Sequence, residues 1–329
     1  MEKKDLRIIF MGTPEFAVET LRRLVEDEYN VVAVVTQPDK PVGRHQDTLQ
    51  APAVKQYAIE KGLPVLQPEK MKDPEFIEQL RSYEANLQVV VAFRMLPEIV
   101  WAMPEYGTFN VHAALLPQYR GAAPINWAVI NGEKQTGVTT FFLDHDIDTG
   151  RIIMQKPFEI KEDYNVEDVY NGLMFLGAEI AINTIDKIIE GNGHVETLPQ
   201  EEMIKTGDEL HLAPKIFKET CEIKWNDTAD NIYNFVRGLS PYPGAWTNLI
   251  SPDGKTTVMK VFKTTKAMIP CNGKECGEIM IFGNKLLIAT RNCWLQLDEI
   301  QLSGKKRMDA KTFLNGFRNI EEYKVKSND

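Results

Sequence analysis

The chain has 329 residues, 43% hydrophobic and 26% charged, a composition that fits a globular protein with room for two domains and excludes a disordered or fibrous one. Its formal net charge of -9 argues against a nonspecific nucleic-acid binder, yet residues 205–329 hold 19 Lys and Arg against 15 Asp and Glu, while residues 1–204 hold 19 against 32. No apolar run approaches the ~18 residues of a membrane span, and the N-terminal residues lead straight into a strand-like segment without room for a signal peptide, so a cytoplasmic protein with no membrane partner is expected.

Residues 6–11 (LRIIFM) form a continuous apolar run of buried-strand type. Thr13 is placed to cap a helix, Pro14 suits its first position, and Phe16, Val18, Leu21, Leu24 and Val25 recur at helical spacing. With residues 31–36 (VVAVVT) as the next buried strand, the chain opens β-α-β, which implies a Rossmann-like parallel sheet. Gly12 stands alone, without the G-x-G-x-x-G that brings a backbone close to a pyrophosphate, so no NAD is expected.

Residues 37–47 form a Pro- and Gly-punctuated polar loop. A helix follows over 51–61, a short strand over 64–67, and a second helix opened by Asp73 and running to about 83. Residues 87–93 (LQVVVAF) are another buried strand, which exits abruptly through Arg94-Met95-Leu96-Pro97. Ligands of open α/β sheets bind at such carboxyl edges, which makes Arg94 a candidate lip of a pocket.

Asn110 and His112 stand two residues apart at the end of a predicted strand, so an amide and an imidazole project from one face. The chain then turns through Leu115-Leu116-Pro117 and Arg120-Gly121-Ala122-Ala123-Pro124 before a helix over 125–129. Residues 137–143 (GVTTFFL) are β-rich and lead into Asp144, Asp146 and Asp148. A calcium loop there fails, because Thr149 holds the glycine position and Gln155 the glutamate position. A strand over 152–160 and a long amphipathic helix over 166–189 complete this half, with Val166, Val169, Tyr170, Leu173, Leu176, Ile180 and Ile185 as the inner face.

Residues 201–212 lack a strong period and suggest a linker. Beyond it, short β-prone runs over 221–225, 245–250, 256–262, 277–282, 285–289 and 294–297, with a helix over 231–239 inserted, predict a small barrel. Cys221, Cys271, Cys276 and Cys293 lack metal or redox spacing, so reduced thiols and no metal are expected.

The set GTPEFA (12–17), QPDKPVGR (37–44), NVHAALLPQYRGAAPINWAVINGE (110–133), GVTTFFLDHDIDTG (137–150), LAPKIFKE (212–219), RGLSPYPGAWT (237–247) and SGKKRMDAKTFLNG (303–316) closely resembles the methionyl-tRNA formyltransferase family, in order and along both halves. The resemblance implies a Rossmann-like catalytic domain over 1–203, a linker over 204–212 and an OB-like β-barrel domain over 213–329. It implies transfer of a formyl group from 10-formyltetrahydrofolate, as co-substrate, to methionyl-initiator tRNA, by a monomer. The catalytic trio falls on Asn110, His112 and Asp148. Asn110 would donate to the formyl oxygen as negative charge develops there, and Asp148 would orient His112 and favour its imidazolium. Arg94, Met95, Leu96, Ala114, Leu115, Leu116, Pro117 and Asp144 would hold the folate through backbone hydrogen bonds and apolar walls. Arg44, Lys215, Arg237, Lys305, Lys306 and Arg307 would meet the tRNA backbone.

Overall fold

The computed structural model describes residues 1–42 and 48–326. It resolves into two compact units, each built from three segments: Met1–Gly121, Gln135–Glu159 and Tyr170–Leu212 form the first, and Ala122–Lys134, Ile160–Val169 and Ala213–Asp329 the second.

In the first unit the apolar runs become β1 (Ile8–Gly12), β2 (Val31–Val35), β5 (Val65–Leu66), β6 (Leu87–Val91) and β7 (Thr108–His112), while β3 (Lys40–Val42) and β4 (Thr48–Gln50) pair separately as an exposed antiparallel hairpin. Two-residue strands β8 (Arg120–Gly121) and β11 (Leu212–Ala213) lie off the main sheet. With β9 (Gln135–Phe142) and β10 (Ile152–Glu159) the sheet order is β10-β9-β7-β6-β1-β2-β5. The five strands from β7 to β5 are parallel, and β9 and β10 run antiparallel at one edge. All of β1 and β6 is buried, the reason those strands read as unbroken apolar runs.

Helix α1 (Glu15–Glu26) buries Phe16, Leu21 and Leu24, each contributing about 1.5–3 kcal/mol of burial. Thr13 does not cap it. Pro14 takes the cap position in extended conformation, no side chain caps the helix, and the buried Thr13 hydroxyl has no partner among the described residues. Helices α2 (Ala53–Glu60), α3 (Pro74–Ser82) and α4 (Glu98–Trp101) follow, and the Asp73 carboxylate caps α3 by accepting from the Glu75 N–H at 3.0 Å. Helix α6 runs from Val166 to Glu190.

In the second unit, α5 (Pro124–Ile130) lies against α7 (Ala229–Leu239), whose Gly238 leaves no room for a side chain: an added Cβ would stand 2.5 Å from the Ile130 side chain. The strands are β12 (Ala245–Ile250), β13 (Thr256–Pro270), β14 (Ile279–Phe282), β15 (Lys285–Ala289), β16 (Cys293–Leu302), β17 (Met308–Asp309) and β18 (Lys324–Val325), with α8 (Ala310–Gly316) near the end. Their antiparallel order is β14-β15-β16-β13-β12-β18, and a Glu278–Lys324 bridge joins the two ends of that series into a barrel. Strands β13 and β16 outrun their predicted lengths because irregularities at 261–264 and 266–270 let β13 bend without breaking its pairing. The predicted strand over 221–225 is instead a 3-10 turn at Lys218–Cys221 and a lone bridge from Glu222 to Trp246. Its apolar alternation serves the barrel core, where Trp225 is fully buried beside Ile232, Val236, Val261, Leu297 and Phe313.

Candidate active site

Strand β7 ends between β6 and β9 and carries Asn110, half-buried, and His112, 6% exposed, on one face. The His112 ring is held from both edges. Its Nε2–H donates to the Tyr119 carbonyl at 2.9 Å, and since a carbonyl can only accept, that bond assigns the proton to Nε2. Its Nδ1 stands 3.8 Å from Asp148 Oδ2. The same carboxylate oxygen accepts the Gly121 N–H at 2.9 Å.

Both partners of His112 adopt left-handed backbone conformations, Tyr119 at φ 59° and Asp148 at φ 57°. Non-glycine residues occupy that region at a cost of about 1–3 kcal/mol and do so where surrounding structure over-determines them. Here the surroundings are specific. The Tyr119 N–H donates to the His211 carbonyl at 2.7 Å, and its ring stacks on His211 at 5.8 Å. Gln200, fully buried, donates to the carbonyls of Asp148 at 2.9 Å and Gly150 at 2.8 Å. Gly150 admits no side chain, because a Cβ there would meet the Phe142 carbonyl at 1.7 Å.

The 114–117 turn is fastened to the sheet. Thr139 Oγ1 donates to the Ala114 carbonyl at 2.6 Å and accepts the Leu116 N–H at 3.1 Å, and Gln155 donates to the Leu116 carbonyl at 2.7 Å. Those backbone groups, expected to face a ligand, are engaged inside the unit. What the turn offers is the apolar side of Leu115, half-buried, while Leu116 and Pro117 are buried.

Met95, Leu96 and Pro97 line a cleft of about 570 Å3 with Met71, Lys72, Glu98 and Ile99. Met95 is 70% exposed, an apolar chain facing outward at the cleft mouth. Arg94 does not line the cleft; its guanidinium donates to the Pro68 and Glu69 carbonyls, lies over the Phe93 ring, and burial pushes its pKa down. None of Asn110, His112 or Asp148 lines it either. The 143–148 segment links the two places: Asp148 faces His112, while His145 approaches Glu98 at 3.8 Å and packs edge-on against Trp101. Asp144 holds that segment's own turn, accepting from the Asp146 N–H and the Thr149 hydroxyl.

In the second unit, Lys305 and Lys306 are exposed, Arg307 pairs with Glu299 over the Phe262 ring, and Lys215 lies over the Phe217 ring. Arg237 corrects the expectation of a surface cation. It is 7% exposed, with its guanidinium donating to Asn234 Oδ1 at 2.9 Å and to the Tyr164 carbonyl at 2.8 Å, so its charge is committed to the fold. Arg44 lies outside the described residues. Among the described residues no group of three or more His, Cys, Asp or Glu is placed to hold a metal, and no helix is long and apolar enough to cross a membrane.

The model of the family described as "Formyl transferase" matches residues 6–185, and that described as "Formyl transferase, C-terminal domain" matches residues 215–318. The chain belongs to the formyl transferase family. Among its curated relatives, the methionyl-tRNA formyltransferase of Parabacteroides distasonis is 56% identical over 325 residues, covering 99% of this chain and 100% of that protein. That of Bacteroides fragilis is 54% identical over 328 residues with the same coverage, and that of Porphyromonas gingivalis 45% over 318 residues, 96% of this chain and 97% of the relative. The fold is shared with an N-formyltransferase of Helicobacter canadensis solved with folinic acid and dTDP-3-aminofucose, at TM-score 0.61 and 18% identity over 92% of this chain and 100% of that one. It is shared also with HypX of Aquifex aeolicus solved with tetrahydrofolic acid, at TM-score 0.61 and 16% identity; the alignment covers 95% of this chain and about half, 48%, of HypX.

Sequence reasoning missed several supports of this candidate site: Tyr119, Thr139, Gln155 and Gln200. Thr139, Gln155 and Gln200 act through hydrogen bonds to partners 16 to 80 positions away, and Tyr119 through its backbone carbonyl, none of which leaves a local signal in the sequence.

Proposed function

We propose that the chain transfers the formyl group of 10-formyltetrahydrofolate to the α-amino group of methionyl-initiator tRNA, as a cytoplasmic monomer. The observation that carries the substrate assignment is that the methionyl-tRNA formyltransferases of Parabacteroides distasonis and Bacteroides fragilis match it over 100% of their length, barrel included, at 56% and 54% identity.

The reaction forms a bond from the methionyl nitrogen to the formyl carbon, breaks the bond from that carbon to the folate N10, and moves one proton from the amine to N10. Asn110 donates an amide N–H to the formyl oxygen as charge gathers there, a type of contact worth about 10²–10³ in rate. Since the Nε2–H of His112 is engaged by Tyr119, Nδ1 is the ring nitrogen that exchanges a proton with the reacting groups, and Asp148 stabilises the imidazolium formed. Met95 and Leu96 offer the apolar cleft wall to the folate and Leu115 on the fastened turn a second wall, with Ala114, Leu116 and Pro117 holding that turn and Arg94 and Asp144 shaping the segments around them. Lys215, Lys305, Lys306 and Arg307 on the barrel, with Arg44, meet tRNA phosphates.

The test is purified protein with 10-formyltetrahydrofolate and charged initiator or elongator tRNA, scored by formylmethionine released on deacylation. Formylation of the initiator in strong preference to the elongator is expected. Transfer to a free amino sugar nucleotide, with none to either tRNA, would overturn the proposal.

A further inference from the structure

Gln200 was singled out by neither composition nor motif, and it lies 52 residues from Asp148 in the chain. Both amide hydrogens are used, one on the Asp148 carbonyl and one on the Gly150 carbonyl, and its oxygen accepts from Arg120 Nε at 3.0 Å and from the Arg120 guanidinium terminus at 2.6 Å. The residue after Arg120 is Gly121, whose N–H donates to Asp148 Oδ2. The bonds therefore close a ring: Asp148 carboxylate to Gly121, Arg120 to Gln200, and Gln200 back to the Asp148 carbonyl. A fully buried amide with every bond satisfied is a rigid element, because breaking any one leaves a desolvated polar group.

We infer that Gln200, with Arg120, is a positioning residue for the formyl transfer, holding Asp148 in its left-handed conformation with its carboxylate toward His112 Nδ1. The inference rests on the roles given above to His112 and Asp148. Gln200 itself touches no substrate, since its amide is consumed by the ring. Without it the strained Asp148 backbone relaxes and the carboxylate leaves the imidazole.

The experiment compares wild type, Gln200→Leu, Gln200→Glu and Arg120→Met, each alone and combined with Asp148→Asn. Two readouts are taken: formyl-transfer kinetics, and the ring nitrogen spectrum of His112 in 15N-histidine-labelled protein, identified by its loss in His112→Ala. The expected single-variant result is a kcat about 10- to 100-fold lower, the scale of a positioning loss, with KM for both substrates within about twofold. No further loss is expected in the Asp148→Asn background, and the His112 Nδ1 signal should move as it does in Asp148→Asn. An unmoved Nδ1 signal in the folded variants, or losses that multiply with Asp148→Asn, overturns the inference, as does failure of all three single variants to fold, which would make the ring a determinant of the fold rather than of catalytic geometry. If wild type formylates no methionyl-tRNA, the proposed function fails, and the nitrogen spectrum still decides this inference.

Discussion

His112 gives its Nε2 proton to the carbonyl of Tyr119 at 2.9 Å. That bond sets the tautomer of the ring and leaves Nδ1 facing Asp148 at 3.8 Å, so in the proposed mechanism any acid–base work of His112 passes through that one nitrogen. A separation of 3.8 Å exceeds a direct hydrogen bond, so in this geometry Asp148 would act on a protonated ring through its charge rather than through a bond.

His112→Ala and Asp148→Asn should each lower kcat by about 10²–10⁴-fold, the range for a positioned acid–base group, with thermal midpoints close to wild type. Rates near wild type in folded variants would remove the pair from the mechanism.

Asn110→Ala should lose about 10²–10³ in kcat while binding both substrates nearly as before, because a donor to the developing oxyanion acts in the transition state. A variant that loses only affinity would show that Asn110 holds a substrate instead.

Arg237 and the exposed lysines of the 303–307 turn should separate cleanly. Arg237→Ala strips charged donors from the Tyr164 and Lys161 carbonyls and should cost about 2–3 kcal/mol in urea unfolding. It should leave the salt dependence of tRNA binding unchanged. Lys305→Ala with Lys306→Ala should flatten that dependence by about two phosphate contacts and barely move stability. Reversal of the two patterns would return Arg237 to the binding surface.

Inside the barrel, the Trp225 indole N–H donates to the Thr247 hydroxyl at 2.9 Å, and both residues are fully buried. Thr247→Val keeps the shape and removes the acceptor, so the second unit should lose about 1–3 kcal/mol, read by near-ultraviolet circular dichroism of the tryptophans during urea unfolding. An unchanged midpoint would mean the indole finds another acceptor.

At the base of the β3–β4 hairpin, hydrogen bonds from Lys55 and then Gln67 hold the Asp39 carboxyl below its ordinary value of 3.8. A depressed folded pKa stabilises the structure above the unfolded value and loses that contribution as pH falls through the folded one. The hairpin base should therefore stay intact down to about pH 4 and loosen below it, with a carboxyl 13C titration midpoint under 3.8 in wild type. A midpoint at or above 3.8 would contradict it.

The β-α-β opening, the buried strands and the mostly parallel sheet were legible in the chain's apolar runs, because fully buried strands such as β1 and β6 carry apolar residues on both faces. It also paired Asn110 with His112, since two-residue spacing on a strand forces a common face. Packing settled which ring nitrogen of His112 faces Asp148, the partner 36 positions on that the family resemblance implied, and at what distance. It decided that Arg237 is buried, that Thr13 caps nothing, and that Gln200 closes a ring around Asp148. Local periodicity reports only which face of an element is apolar; a buried polar group is placed by partners far along the chain, whose identity emerges when the segments pack.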